Sequence, residues 1–369
     1  MCCQTFMCSL SLSLSQTLSN SLSLSQTLSQ TLKLSLSQTL KLSLKLSNSL
    51  SLKLSNSLSL KLSNSQTLSL SPFAAGGAGT GRMFYLIGLG LSDEKDITAR
   101  GLEIVKRCDE VFLEAYTAIL MVNSDKLEAF YGRPVTVADR ELVEQQCEER
   151  LLLPAKEKDI ALLVVGDPFA ATTHTDLVTR CKSLGVPCQA VHNASIMNAI
   201  GCCGLQLYNF GRTVSIVFFT EQWRPDSFYA KMKANKDMGL HTLCLVDIKV
   251  KEQSIENLIK GRKIFEPPRY MTVNQCAKQL LEVEEKYGEG VCGPDSLAVG
   301  VARVGCTDQR IVFGTLSELV TVDFGPPLHS LVVIGETDEI EREVLDMYKI
   351  DDSTPRVAEE PDDLDVHCT

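Results

Sequence analysis

The chain has 369 residues and a formal net charge of −10, and its composition changes abruptly near Met83. Residues 1–82 hold five Lys, Arg82 and no acid, so they carry +6 and the remaining 287 residues carry −16. A body that acidic repels phosphate backbones, which argues against a nucleic-acid partner, and its length suits two domains that each bury a core.

The first segment reads LSLSQTLSNSLSLSQTLSQTLKLSLSQTLKLSLKLSNS. Alternating Leu and Ser has strand periodicity, but turn residues are missing and no aromatic or β-branched packing residue beyond Thr lies between Phe6 and Phe73. A CT dinucleotide repeat read as alternating CTC and TCT codons encodes Leu-Ser. Residues 1–82 are therefore expected to be a low-complexity segment, disordered or β-prone, from translated simple-sequence DNA or an overextended gene model, with Met83 as the original start. The Gly-rich stretch from Ala74 to Gly81 is a flexible join.

From Met83 the elements follow in order. Phe84–Leu89 is a short apolar run ending in Gly, the profile of a buried parallel strand. Thr98 is placed as the N-cap of a helix through Arg107, and Glu110–Leu113 as a second strand. Helices are expected over Lys126–Phe130 and Arg140–Leu152, then a buried strand at Ile160–Val165 that runs into Gly166-Asp167-Pro168. A helix at Asp176–Leu184, a strand at Pro187–Val191 and a helix from Ser195 complete a mostly parallel sheet. The pattern restarts after a boundary near Leu205–Thr213, dividing an N-terminal α/β domain (83–207) from a C-terminal one (208–350). The second domain has strands at Thr213–Phe219, His241–Asp247, Leu297–Val304, Ile311–Gly314 and Ser330–Ile334, with helices near Phe228–Lys236 and Val273–Tyr287. The acidic tail, 351–369, is expected to stay unpacked.

No run of 18 apolar residues exists, so no helical membrane span is expected. The 14 Cys contain no C-x-x-C, which sets aside zinc sites and disulfide frameworks. They read as reduced thiols used as small hydrophobes in the cytoplasm.

Chemistry concentrates at three strand ends. Gly88-Leu89-Gly90 lacks the third Gly of a dinucleotide fingerprint, since Asp93 stands there, and a tight turn explains it as well as a ligand loop does. Asp167 closes a buried strand at the edge where open parallel sheets bind ligands, although Gly-Asp-Pro is also turn chemistry. Ser195 follows His192-Asn193-Ala194 at a helix start, as a cap or as a ligand contact. No serine-nucleophile elbow, HExxH or Walker loop occurs. Methyl transfer from a sulfonium needs neither metal nor covalent nucleophile, because its electrophile is already activated.

The segments MFYLIGLGLSDEKDIT, LEAYTAIL, FYGRPVTVADRE, VVGDPFAATTHTDLV, HNASIMNAIGCCGLQLYNFG, LCLVDIKVKEQSIENLIKGRKIFEPPRYM and PLHSLVVIG closely resemble the diphthine methyl ester synthase family of eukaryotes, nearly collinearly from Met83 to Gly335. That family lies within the tetrapyrrole-methylase-like (class III) methyltransferases, which bind S-adenosylmethionine in a cleft between two α/β domains. The resemblance implies a homodimer acting on translation elongation factor 2, at the histidine that carries a 3-amino-3-carboxypropyl group. It implies three methylations of the amine and one of the carboxylate, a step of diphthamide biosynthesis. The cofactor contacts it implies are Leu91, Asp167, Ala170, Ser195, Ile196, Val246, Val304 and His329. Read by spacing alone, His329 is a packing histidine and the two valines are core residues. Ala170 departs from the family's usual Gly.

The amine must lose a proton before each transfer, and His174 and His192 are candidate bases by location. Two rival readings are a related methylase acting on RNA or a tetrapyrrole, and a non-catalytic binding module on the translation factor.

Overall fold

The structure is a computed structural model that describes residues 82–357 except 117, 121, 123, 254–256, 258 and 263. The Leu/Ser-rich leader, apart from Arg82, and the tail beyond 357 lie outside the described residues.

Five strands form the first sheet: β1 (Phe84–Gly88), β2 (Glu110–Glu114), β3 (Thr136–Ala138), β4 (Ile160–Val164) and β5 (Cys188–Val191). Their order is β3-β2-β4-β1-β5 and every pairing is parallel. Strand β1 is buried throughout because helices and loops cover both faces. Phe84 and Leu86 pack with Leu151, Leu152 and Leu177 on one side, and Tyr85 and Ile87 with Val105, Leu127 and Tyr131 on the other. The helix Ala99–Arg107 starts where Thr98 accepts a hydrogen bond from Gly101 N at 3.0 Å.

The expected helix over 140–152 is instead two π-type turns, Glu141–Gln145 and Glu148–Leu152, followed by a 3₁₀ turn at Pro154–Lys156. An α-helix would rotate every fourth residue about 40° around its axis. With the wider turns Val143, Cys147 and Leu151 are all buried in one core cluster.

The second half holds β6 (Val214–Ile216), β7 (Thr242–Val246), a small ribbon of β8 (Ile248–Lys249) with β9 (Arg269–Tyr270), then β10 (Leu297–Ala302), β11 (Arg310–Thr315) and β12 (His329–Val333). The large sheet runs β11-β10-β12-β7-β6. Only β6 and β7 are parallel; β10 runs against β11 and β12, and β12 runs against β7. The expectation of parallel pairing fails here because the short connection from β10 to β11 is a hairpin, too short for a crossover helix. Helix Val273–Tyr287 covers one face through Cys276, Ala277 and Leu280, while Ile200, Cys203, Leu205 and Leu345 cover the other.

The segment between the sheets is tied down by Glu341, whose Oε1 accepts hydrogen bonds from Gln206 N (2.8 Å) and Asn209 Nδ2 (3.2 Å) and lies 3.4 Å from His241 Nε2. The tail also departs from expectation over its described part. Asp323 N donates to Pro355 O and Val357 N to Thr321 O, so residues 355–357 lie along 321–323. Ten described cysteines are free and eight of them are buried. Among the described residues no helix is long and apolar enough to cross a membrane.

Candidate functional site

The carboxyl ends of the first sheet's strands face one end of the second sheet, and a cavity of about 350 Å³ lies between them. Leu91, which follows β1, and Ala170, which follows β4, border it with Ser195 and Ile196 beyond β5. From the second sheet come Val246 at the end of β7, Val304 past β10 and His329 at the start of β12. Seven of the eight residues singled out from the sequence therefore meet at one cavity.

Asp167 is the exception, since it does not border the cavity. Its carboxylate is consumed by neighbouring loops: Oδ1 accepts from Phe169 N (2.9 Å), and Oδ2 accepts from Asn193 N (3.1 Å) and lies 2.8 Å from His192 Nδ1. Asn193 extends the tie, its Nδ2 donating to Gly88 O (3.0 Å) and Asp96 O (2.9 Å). Gly90 and Gly166 complete it by exchanging two backbone hydrogen bonds, 3.2 and 2.7 Å, both in the left-handed region at φ +80° and +77°. A Cβ on Gly88 would sit 2.6 Å from Gly166 O, so the loops approach this closely only with glycine there. The ends of β1, β4 and β5 are thus one bonded unit.

Ser195 caps the helix Ile196–Ala199, as expected, and its backbone N–H donates to Asn198 Oδ1 at 2.8 Å. That amide is spent within the turn. Ala170 keeps an ordinary backbone; the left-handed torsion in this loop falls one residue later, on Ala171 at φ +59°.

His329 is buried and its ring is fixed by three partners. Nδ1 accepts from Val273 N (3.3 Å) and Nε2 faces the carbonyls of Pro326 (3.1 Å) and Gly325 (3.2 Å), so the proton resides on Nε2. Burial pushes its pKa below the ordinary 6.5 despite those carbonyls, and the ring is neutral near pH 7. Arg303 holds the loop around it, donating to Phe324 O (2.8 Å) and pairing with Asp308 at 2.7 Å.

Neither proposed histidine base reaches the cavity. His174 is buried at the start of helix Thr175–Leu184, its pKa lowered by that burial, and His192 packs near Phe169. The cavity has polar groups that sequence reading passed over: Arg140, Tyr116 and Asp247. Asp247 is the only carboxylate among the described lining residues. As lone residues at strand ends they carried no motif. The one available signal was position, since each lies within two residues of the end of a strand that reaches the cavity.

A model of the family described as Tetrapyrrole (Corrin/Porphyrin) Methylases matches residues 83–320. The diphthine methyl ester synthase of Aspergillus fumigatus is 62% identical over 273 residues, 74% of this chain and 95% of that protein. The Homo sapiens protein of the same name is 58% identical over 277 residues, 74% and 97% of the two chains. A crystal structure of a diphthine synthase superposes with TM-score 0.62 at 32% identity, covering 72% of this chain and 96% of that one. The chain belongs to the diphthine methyl ester synthase family, within the S-adenosylmethionine-dependent methyltransferases of the tetrapyrrole methylase fold.

Proposed function

We propose that the cavity between the sheets binds S-adenosylmethionine through Leu91, Ala170, Ser195, Ile196, Val246, Val304 and His329, and that Asp167 holds the loops instead of touching the ligand. The observation that carries this reading is the convergence of those seven residues, from both sheets, on one cavity. Its volume falls in the range of small-molecule sites, roughly 300–1,000 Å³. The walls suit a cationic sulfonium. Leu91, Val165, Ile196, Leu245, Val301 and Val304 are apolar, and Thr172, Ser195, Ser215 and Ser330 offer hydroxyls. The neutral His329 adds no repelling charge, and the Arg303 cation is matched by Asp308. When bound, the cofactor supplies a methyl group already activated on sulfur, which leaves alignment and exclusion of water to the protein.

The acceptor in this reading is the histidine of translation elongation factor 2 that bears a 3-amino-3-carboxypropyl group, methylated three times on its amine and once on its carboxylate. The names borne by relatives about 60% identical support it. A carboxylate acceptor is already ionised, whereas an ammonium must lose a proton before it attacks. Both nitrogens of His329 are engaged, so Asp247 and solvent are the proton acceptors available at the described lining. The same family reading implies a cytoplasmic homodimer, which sedimentation of the purified chain tests directly.

Transfer of labelled methyl groups to elongation factor 2 carrying the aminocarboxypropyl histidine should occur with the purified protein. Absence of transfer to that acceptor, with transfer to RNA or a tetrapyrrole instead, would overturn the acceptor assignment. Cofactor binding without transfer to any of them would mark a binding module.

A further inference from the structure

The cavity extends well past the residues assigned to the cofactor. Leu91, Ala170 and Ser195 follow β1, β4 and β5, whereas Tyr116 and Arg140 follow β2 and β3. The strand order β3-β2-β4-β1-β5 sets β3 three strands from β1. At about 4.8 Å per strand this separates the Arg140 corner from the Leu91 loop by roughly 14 Å.

A cation stands at that far side, and a carboxylate from the second sheet borders the same cavity. The Arg140 side chain is 65% exposed, lies over the Tyr116 ring at 5.3 Å, and among the described residues pairs only loosely, with Glu144 at 3.7 Å. Tyr116 is buried and its hydroxyl meets no hydrogen-bond partner among the described residues. Asp247 comes from the second sheet; its Oδ2 accepts from Phe218 N at 3.1 Å, and no described residue donates to Oδ1. One contact brings these two strand ends together. Asp139, next to Arg140, pairs at 2.5 Å with Lys251, four residues beyond Asp247. Asp139 is held ionised by that ammonium, whose hydrogen bond lowers its pKa.

We propose that Arg140 and Asp247 form the acceptor's recognition pair, Arg140 binding a carboxylate and Asp247 an ammonium of one α-amino-acid head group. This rests on the functional reading above, whose acceptor carries both charges on one carbon. A guanidinium presents paired N–H donors that match a carboxylate. The half-satisfied Asp247 matches an ammonium in the same way, and the two charges fix the head group's orientation. The cofactor carries an α-amino-acid end too; Val246, assigned to it, adjoins Asp247, whereas Arg140 stands three strands from Leu91, and the cofactor affinity of the variants tells the two head groups apart.

The test uses full-length protein, elongation factor 2 with the aminocarboxypropyl histidine, and labelled cofactor. Arg140→Gln and Asp247→Asn should each raise KM for the elongation factor about tenfold or more, the worth of one charge-assisted hydrogen bond. S-adenosylmethionine affinity by calorimetry should stay within about twofold of wild type by the same reasoning that the pair contacts only the acceptor. Arg140→Lys should recover part of the loss, which a purely structural role for the side chain would not predict. Melting temperatures identify any variant that fails to fold; both side chains are partly solvent-exposed, so folding is expected to survive. An unchanged KM in both variants overturns the proposal. So does a loss of cofactor affinity with KM intact, which would assign the pair to the cofactor's own amino-acid end. Failure of the wild-type protein to methylate the elongation factor is the separate result that removes the functional reading itself.

Discussion

Asp167 Oδ2 and His192 Nδ1 meet at 2.8 Å, an acid–imidazole pair of the geometry found in general-base sites, yet neither residue borders the cavity. The pair is a fastening between the loops after β4 and β5. Asp167 contributes far more to it than His192, whose side chain is 69% exposed.

Replacing Asp167 by Asn should therefore weaken cofactor binding about tenfold or more, because an amide N–H would face an N–H donor of Phe169 or Asn193. His192→Ala should change it by less than about threefold, since it removes one partly solvated partner. Calorimetric titration of both variants decides the matter, and equal losses would show His192 to be the functional member.

Ala171 occupies the left-handed region at φ +59°, which costs an L-residue roughly 1–2 kcal/mol. Ala171→Gly should raise stability by about 0.5–1 kcal/mol after the gain in unfolded-chain entropy is set against that relief. Ala170→Gly should not stabilise, because its torsions are ordinary. The wild-type protein should bind the cofactor despite lacking Gly at that position. A denaturant series separates the two substitutions, and no measurable binding by the natural form would contradict this account.

Gly88→Ala places a methyl 2.6 Å from Gly166 O, a backbone atom that cannot swing aside. The expected result is loss of cofactor binding larger than the loss of stability, since the bonded loops must separate. Chemical denaturation paired with titration measures both, and intact affinity would show that the loops relax without consequence.

Three buried histidines set the acid limit of stability. Burial lowers the pKa of His174, His241 and His329 below the ordinary 6.5. The unfolded chain then binds more protons than the folded one as pH falls below about 6.5, so stability falls with pH there, by up to about 1.4 kcal/mol per pH unit for each histidine. Glu284, Glu318 and Glu341 have lowered pKa values through their hydrogen bonds. Their contribution is present above the ordinary 4.5 and is lost as pH falls through their folded values. Unfolding midpoints should thus decline in two stages, and a flat profile between pH 7 and 5 would refute the histidine part.

Strands buried on both faces announced themselves as unbroken apolar runs, and β1 and β4 were legible for that reason. Edge strand β3 was not. Its three residues include two exposed ones, and three residues are too few for a strand period to show. The reversed pairing in the second sheet was hidden because strand direction depends on connection geometry more than on strand composition. At the site, the resemblance located seven cavity residues, whereas the part played by Asp167 required knowing which loops lie within hydrogen-bond reach. Arg140, Tyr116 and Asp247 surfaced only when two distant chain segments were seen to face each other.

The hydrogen-bonded union of the β1, β4 and β5 loops leaves the ends of β2 and β3 outside it. Under the assignment proposed above, substitutions on the donor side must then be made in concert, while those near Tyr116 and Arg140 act singly. A lineage with this architecture can change what it methylates far more readily than it can change its methyl source, and acceptor preference is the trait open to drift or to engineering.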